Sequence, residues 1–138
     1  MNVAATETRS VVVEREMPFP PEKIWRALTQ PQLMEEWLMK SDFLPAVGHR
    51  FTLRGDWGSV NCQVTSVEPN KTLSYTWGAY GLGSVVTWTL TPSGKGTHVR
   101  LEQSGFGMDQ QQDAYYNGAK AGWPKFFAAL EQVLAKID

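Results

Sequence analysis

The spacing of apolar positions changes along this chain, and the changes divide it into elements. From Thr8 to Met17, Val11 and Val13 alternate with polar neighbours, which predicts a strand with a more exposed end at Glu14, Arg15 and Glu16. Pro18, Pro20 and Pro21 stop it. Pro21 suits the first position of a helix, where a missing N–H costs nothing. Ile24, Trp25 and Leu28 then share one helical face. Pro31 restarts the pattern, and Leu33, Met34, Trp37 and Leu38 form a second apolar face. Two short helices therefore meet near Thr29 and Gln30. Lys40 to Gly48 reads as a loop with room for a short strand near Phe43.

After Gly48 the period becomes two. Phe51 and Leu53 alternate, Gly55 to Gly58 turns, and Val60, Cys62 and Val64 alternate again. Val67 breaks that parity, which predicts a bulge near Thr65 and Ser66. Pro69-Asn70-Lys71 is a tight turn. Leu73, Tyr75 and Trp77 follow, then a glycine-rich loop from Gly78 to Gly83, then Val86, Trp88 and Leu90. Pro92 to Gly96 turns once more before Val99, Leu101 and Gln103. Strands joined by short turns imply an antiparallel meander. From about Gln110 to Ile137 the step is three and four, through Trp123, Phe127, Leu130, Leu134 and Ile137, with Phe126 and Val133 widening the stripe. Pro124 lies inside this helix and is expected to kink or split it.

The expected fold is therefore α+β: a curved antiparallel sheet of six or seven strands around one long C-terminal helix, with two short helices after the first strand. Six strands at ~4.8 Å spacing span about 29 Å, whereas one helix is only ~10–12 Å wide. The sheet must curl, and the space between it and the helix has to be filled by large side chains or left as a cavity. Composition sharpens this point. Six tryptophans in 138 residues either fill a large core or line an apolar pocket.

Charge and composition exclude several classes. The chain is 42% hydrophobic with a net charge of −1, a balance of one globular domain that needs no metal or disulfide. No basic cluster is interleaved with aromatics, which argues against nucleic acid as a partner. No apolar run approaches the ~20 residues of a membrane span. Met1 to Arg15 lacks a basic-then-apolar leader, and the single Cys62 cannot form an internal disulfide. These features fit a reducing cytoplasm.

Several segments in order carry a family resemblance. They are Pro20 to Thr29, Pro31 to Leu33 followed by Trp37, Val47 to Phe51, Val67 to Trp77, Gly96-Thr97 to Gly105-Phe106, and Gly122-Trp123. Over nearly the whole chain this set resembles the Hsp90-activator C-terminal-like family of the START-like, polyketide-cyclase-like (SRPBCC) superfamily. The resemblance implies a helix-grip fold of the Bet v 1 type, with a cavity between helix and sheet that other members use for lipids, hormones or polyketides. It implies no catalytic residue, because the matched positions are structural.

The search for chemistry points the same way. His49 and His98 stand apart, no ligand spacing suggests a metal, and no cofactor is expected. Cys62 shares the inward parity and reads as a small core residue. The glycines between Gly78 and Gly83 precede a strand, not the helix N-terminus that a phosphate site needs. Asp56 and Trp57 could gate an opening or simply be exposed. Gln103 shares the inward parity with Val99 and Leu101, so its amide is either a structural bond or an anchor for a ligand. Tyr115 and Tyr116 begin the last helix, and one of them is expected to face in.

The candidate ligand-binding set is Trp37, Phe51, Tyr75, Trp77, Trp88, Gln103, Tyr115, Trp123 and Phe127. The leading expectation is uptake of a small, largely apolar molecule. A Hsp90-type chaperone is the alternative partner implied by the resemblance. Full activators in that family carry a further N-terminal domain, so full ATPase stimulation is not expected here. A cyclase or hydrolase is the third reading, and the scarcity of inward His and carboxylates counts against it.

Overall fold

The computed structural model describes residues 8–56, 58–78 and 83–138. Among these the elements run β1 (Thr8–Met17), α1 (Pro21–Thr29), α2 (Pro31–Trp37), β2 (Lys40–Ser41), β3 (Arg50–Gly55), β4 (Gly58–Glu68), β5 (Thr72–Trp77), β6 (Ser84–Ser93), β7 (Gly96–Gly107) and α3 (Gln110–Lys136). The strands form one antiparallel sheet in the order β1-β7-β6-β5-β4-β3-β2. This is the expected α+β helix grip, with seven strands. Trp57 and most of the glycine-rich loop lie outside the described residues.

Period-two patterning sets the faces. In β6, Ser84, Val86, Trp88 and Leu90 are buried while the residues between them are half-buried. β7 does the same with Thr97, Val99, Leu101 and Gln103. Two bulges shift the register. One lies between Val64 and Ser66 on β4, where the parity break predicted it. The other is opposite Arg9 and Ser10: Arg9 faces Phe106, Ser10 faces Ser104, and Gly105 is the extra residue with φ 102°. A Cβ at Gly105 would lie 2.8 Å from the Gly83 carbonyl oxygen, so glycine is required on both counts. The bulge resets the parity of β7 and turns Phe106 into the core.

α1 and α2 share Gln30, which closes one helix and opens the next. The Trp37 indole N–H donates to the Ala27 carbonyl at 2.7 Å and locks the two helices together. The short strand falls at Lys40–Ser41, before Phe43. The Asp42 carboxylate accepts the Thr52 backbone N–H at 3.1 Å, which replaces the next ladder bond. Phe43 then leaves the strand and drops into the core, edge-on to Phe51.

α3 is one unbroken helix with Pro124 inside it, so the expected split does not occur. Pro124 still offers no N–H to the Lys120 carbonyl. Trp123 and Phe127 on either side are buried and hold the adjoining turns against the sheet. At the start, the Asp109 carboxylate accepts the Gln112 backbone N–H at 2.9 Å, a side-chain N-cap.

Candidate functional site

Between the sheet and α3 the large side chains meet in two groups. Phe43, Phe51 and Tyr75 make the first, with ring centroids 4.9 Å (Phe43–Phe51) and 5.3 Å (Phe51–Tyr75) apart. The second centres on Trp88. Trp37 lies edge-on to it at 5.6 Å, Trp123 edge-on at 5.8 Å, and Phe127 stacks on it at 5.5 Å. Trp77 lies 5.4 Å from Trp123. The Trp88 indole N–H donates to the Tyr75 hydroxyl at 3.1 Å and joins the groups. Edge-to-face contacts of this kind contribute about 0.5–1.5 kcal/mol each beyond the area buried.

A line of polar groups crosses this aromatic wall. The Trp123 indole N–H donates to the Gln103 side-chain oxygen at 2.7 Å. The Gln103 amide nitrogen donates to the Ser84 hydroxyl at 2.9 Å. That hydroxyl donates to the Trp77 carbonyl at 3.0 Å. Gln103 is 2% exposed. Its amide thus ties β7 to β6 and to α3 through other side chains.

Of the nine expected residues, eight are buried in this interior, and Tyr115 is half-buried against it from α3. Tyr116 is equally half-buried and meets Phe106 edge-on at 5.7 Å. Sequence reasoning missed Ser84 and Phe43. Ser84 lies two residues before Val86 on the same parity, so the argument that singled out Gln103 also reaches Ser84. Phe43 carried no periodic signal, because it follows a strand of two residues.

Electrostatically the interior is quiet. Burial pushes the Cys62 thiol up to about 12 and raises the Tyr75 phenol still further, so both stay neutral. No group of His, Cys, Asp or Glu among the described residues could hold a metal, and no described helix is long and apolar enough to cross a membrane.

Two clefts flank α3. One, of about 500 Å³, lies beside β1 and is bordered by Tyr116, Lys120 and Pro124. The other, of about 550 Å³, opens where the end of α2, β2 and the β3–β4 turn approach Phe126. The Phe126 ring is 5.3 Å from that of Trp123, so this cleft is one ring removed from the polar line.

The family of activator of Hsp90 ATPase homolog 1-like proteins matches residues 18–135. The chain belongs to that family. Among curated proteins nothing matches it significantly. Of the solved structures, MLL2253 from Mesorhizobium loti is 60% identical with a TM-score of 0.89, over 94% of this chain and 99% of that one. BH1534 from Bacillus halodurans is 27% identical with a TM-score of 0.79, over 91% and 96%. DynU16, from the dynemicin biosynthetic locus, is 27% identical with a TM-score of 0.81, over 92% of this chain but only 47% of DynU16, so the chain spans about half its length. This activator-like domain thus shares its helix grip with family members and with a protein of a biosynthetic locus.

Proposed function

We propose that this activator-like domain binds a small, largely apolar molecule between the sheet and α3. The rings of Trp37, Phe51, Tyr75, Trp77, Trp88, Trp123 and Phe127 form the walls, and Gln103 or Tyr115 orients one polar group. The observation that carries this reading is the buried line from Trp123 through Gln103 to Ser84. Apolar side chains would fill the same space without desolvating an amide and a hydroxyl. A ligand with one polar group can take over a bond that Trp123 or Ser84 now makes. Space comes from the first half of α3, which covers the interior without inserting a fully buried side chain among its described residues. DynU16, with its place in a biosynthetic locus, supports a small molecule as the partner. The neutral Cys62 and Tyr75 support binding over acid–base chemistry.

Native mass spectrometry of freshly purified protein tests this, with denaturing mass as control. Extra mass that disappears on denaturation is the expected result. An apo mass together with tryptophan emission that stays silent across a broad apolar panel sinks the proposal.

A second reading, contact with a Hsp90-type chaperone, is supported by the family and by Leu44 and Val47, which stand exposed before β3. It predicts that Leu44→Asp with Val47→Asp abolishes a chaperone pull-down that Gln103→Leu leaves intact. Equal loss in both variants rules it out.

A further inference from the structure

The cleft beside Phe126 carries an arrangement that the fold alone does not explain. Lys40 on β2 and Arg54 on β3 are direct cross-strand partners. Both are exposed, and both line the cleft. Like charges directly opposite each other destabilise a sheet. β2 has only two residues, so its ladder is poorly placed to absorb that cost.

No ion pair among the described residues relieves it. Arg54 faces Ser59 on its other side. Glu35 and Asp56 also line the cleft, yet among the described residues the lysines and arginines in ion pairs are Arg9, Arg15, Lys71 and Arg100. The neighbouring Asp42 carboxylate is committed to the Thr52 N–H, which holds it below the usual carboxylate range, with lesser help from His49 and Arg54. The apolar part of the lining is Leu38 and Met39, just after α2, and Phe126 from α3. Glu35 and Asp56 share the cleft without an ion pair to either cation, so the opposed Lys40 and Arg54 beside these apolar side chains match an anion with an apolar body.

We infer that this cleft takes the anionic head of an amphiphile, a carboxylate, sulfonate or phosphate held between Lys40 and Arg54, while its apolar body lies over Leu38, Met39 and Phe126 toward Trp123. The inference rests on the small-molecule reading above and deepens it. An anion between the cations replaces their repulsion with two charge-assisted hydrogen bonds. The head stays in water at the rim, so its desolvation cost is small. The body passes from the cleft to the aromatic interior by displacing one ring, Phe126.

Two dyes that differ only in the anion test this: 1-anilinonaphthalene-8-sulfonate and N-phenyl-1-naphthylamine. Their affinities are measured by fluorescence titration on the full chain, on Lys40→Glu and Arg54→Gln, and on Lys95→Gln as a charge control at the β6–β7 turn. The sulfonate is expected to bind about tenfold more weakly to Lys40→Glu and about fivefold more weakly to Arg54→Gln. The uncharged dye stays within about twofold throughout, and Lys95→Gln changes neither. Lys40→Glu also turns a repulsive pair into an attractive one, so the apo Tm rises by about 1–2 °C. An unchanged sulfonate affinity, an equal fall for both dyes, or a fall in Tm overturns the inference and leaves the small-molecule reading standing. Failure of both dyes to bind the unaltered chain also overturns the inference, and native mass spectrometry with the apolar panel then decides the small-molecule reading.

Discussion

The two halves of α3 belong to one helix and do different work. After Pro124, the second half sends Phe127, Leu130, Val133 and Leu134 into the core, with Trp123 at its head. Before Trp123, the described residues of the first half are all exposed or half-buried. Gly118 and Gly122 lie there, and a Cβ at either would meet open space. No steric demand requires glycine at these positions, although glycine weakens a helix interior. Pro124 adds an unmatched carbonyl at Lys120. One half is an anchor, and the other is a cover with no fully buried side chain among its described residues. A helix that must both build a core and admit a ligand can divide those tasks along its length, at the cost of local stability on one side.

The largest test of this contrast is truncation in each half. Phe127→Ala leaves a void under Trp88 and is expected to cost about 3–5 kcal/mol by urea unfolding. Tyr115→Ala should cost less than half as much. Equal losses would erase the distinction. Gln103→Leu probes the junction, because it strips the indole N–H of Trp123 of its acceptor. It is expected to cost about 2 kcal/mol, and Ser84→Ala made in the same background should cost less than it does alone, since only its bond to the Trp77 carbonyl is left to lose. Full additivity would mean that the polar line is not one unit.

Stiffening the cover is a smaller effect with the opposite sign. Gly118→Ala and Gly122→Ala should each stabilise the protein by about 0.5–1 kcal/mol. Both should slow amide exchange in residues 112–122 and retard ligand release. Destabilisation would show that the backbone there needs glycine after all.

The smallest expected effect concerns β1, which braces both halves through Arg9–Asp113 and Arg15–Glu131. On its outer face His98 bonds to Glu14 at 2.8 Å and also to Glu16. Hydrogen bonds to Glu14, then Glu16, raise the His98 pKa above 6.5. Bonds from Ser93, then His98, lower that of Glu16 below 4.5. The raised imidazole contributes fully below its unfolded value, and its contribution fades as pH rises through the folded one. The lowered carboxylate contributes above 4.5, and its contribution fades as pH falls through its folded value. This clasp is therefore strongest between the two. His98→Gln should flatten the pH profile of Tm across that window by a small amount, and should slacken both halves of α3 alike. A profile unchanged by the substitution would show that the clasp is only a surface contact.

Legibility in the sequence followed periodicity. β1 and the later strands were readable because Val, Trp and Tyr recur at every second position, and the β4 bulge was readable because Val67 broke that rule. Phe43 was not, since a two-residue strand has no period to extend. Of the kink or split expected at Pro124, the split does not occur: its intrinsic cost is visible in sequence, whereas the buried rings of Trp123 and Phe127 that hold the adjoining turns are not. In the interior, strand parity and helical spacing together picked out nine side chains, of which eight are buried. They could not say that Gln103 is bonded to Ser84 and Trp123, because that depends on how far β6 and α3 lie from β7. The Lys40–Arg54 opposition was equally hidden, since register between strands is a tertiary fact.

The pairing of β1 with β7 also has a consequence for the order of events during synthesis. The Arg9–Gly107 bond joins residues 98 positions apart. The first strand of this domain therefore has no β7 partner until nearly the whole sheet has been made. Meanwhile α1, α2 and the β3–β6 hairpins can form from near neighbours, whereas β1 must wait as an unpaired edge carrying Val11, Val12 and Val13. Long-range pairing of this kind slows folding and exposes a sticky strand to other chains. The growing domain is thus most vulnerable at β1, until β7 arrives and pairs with it.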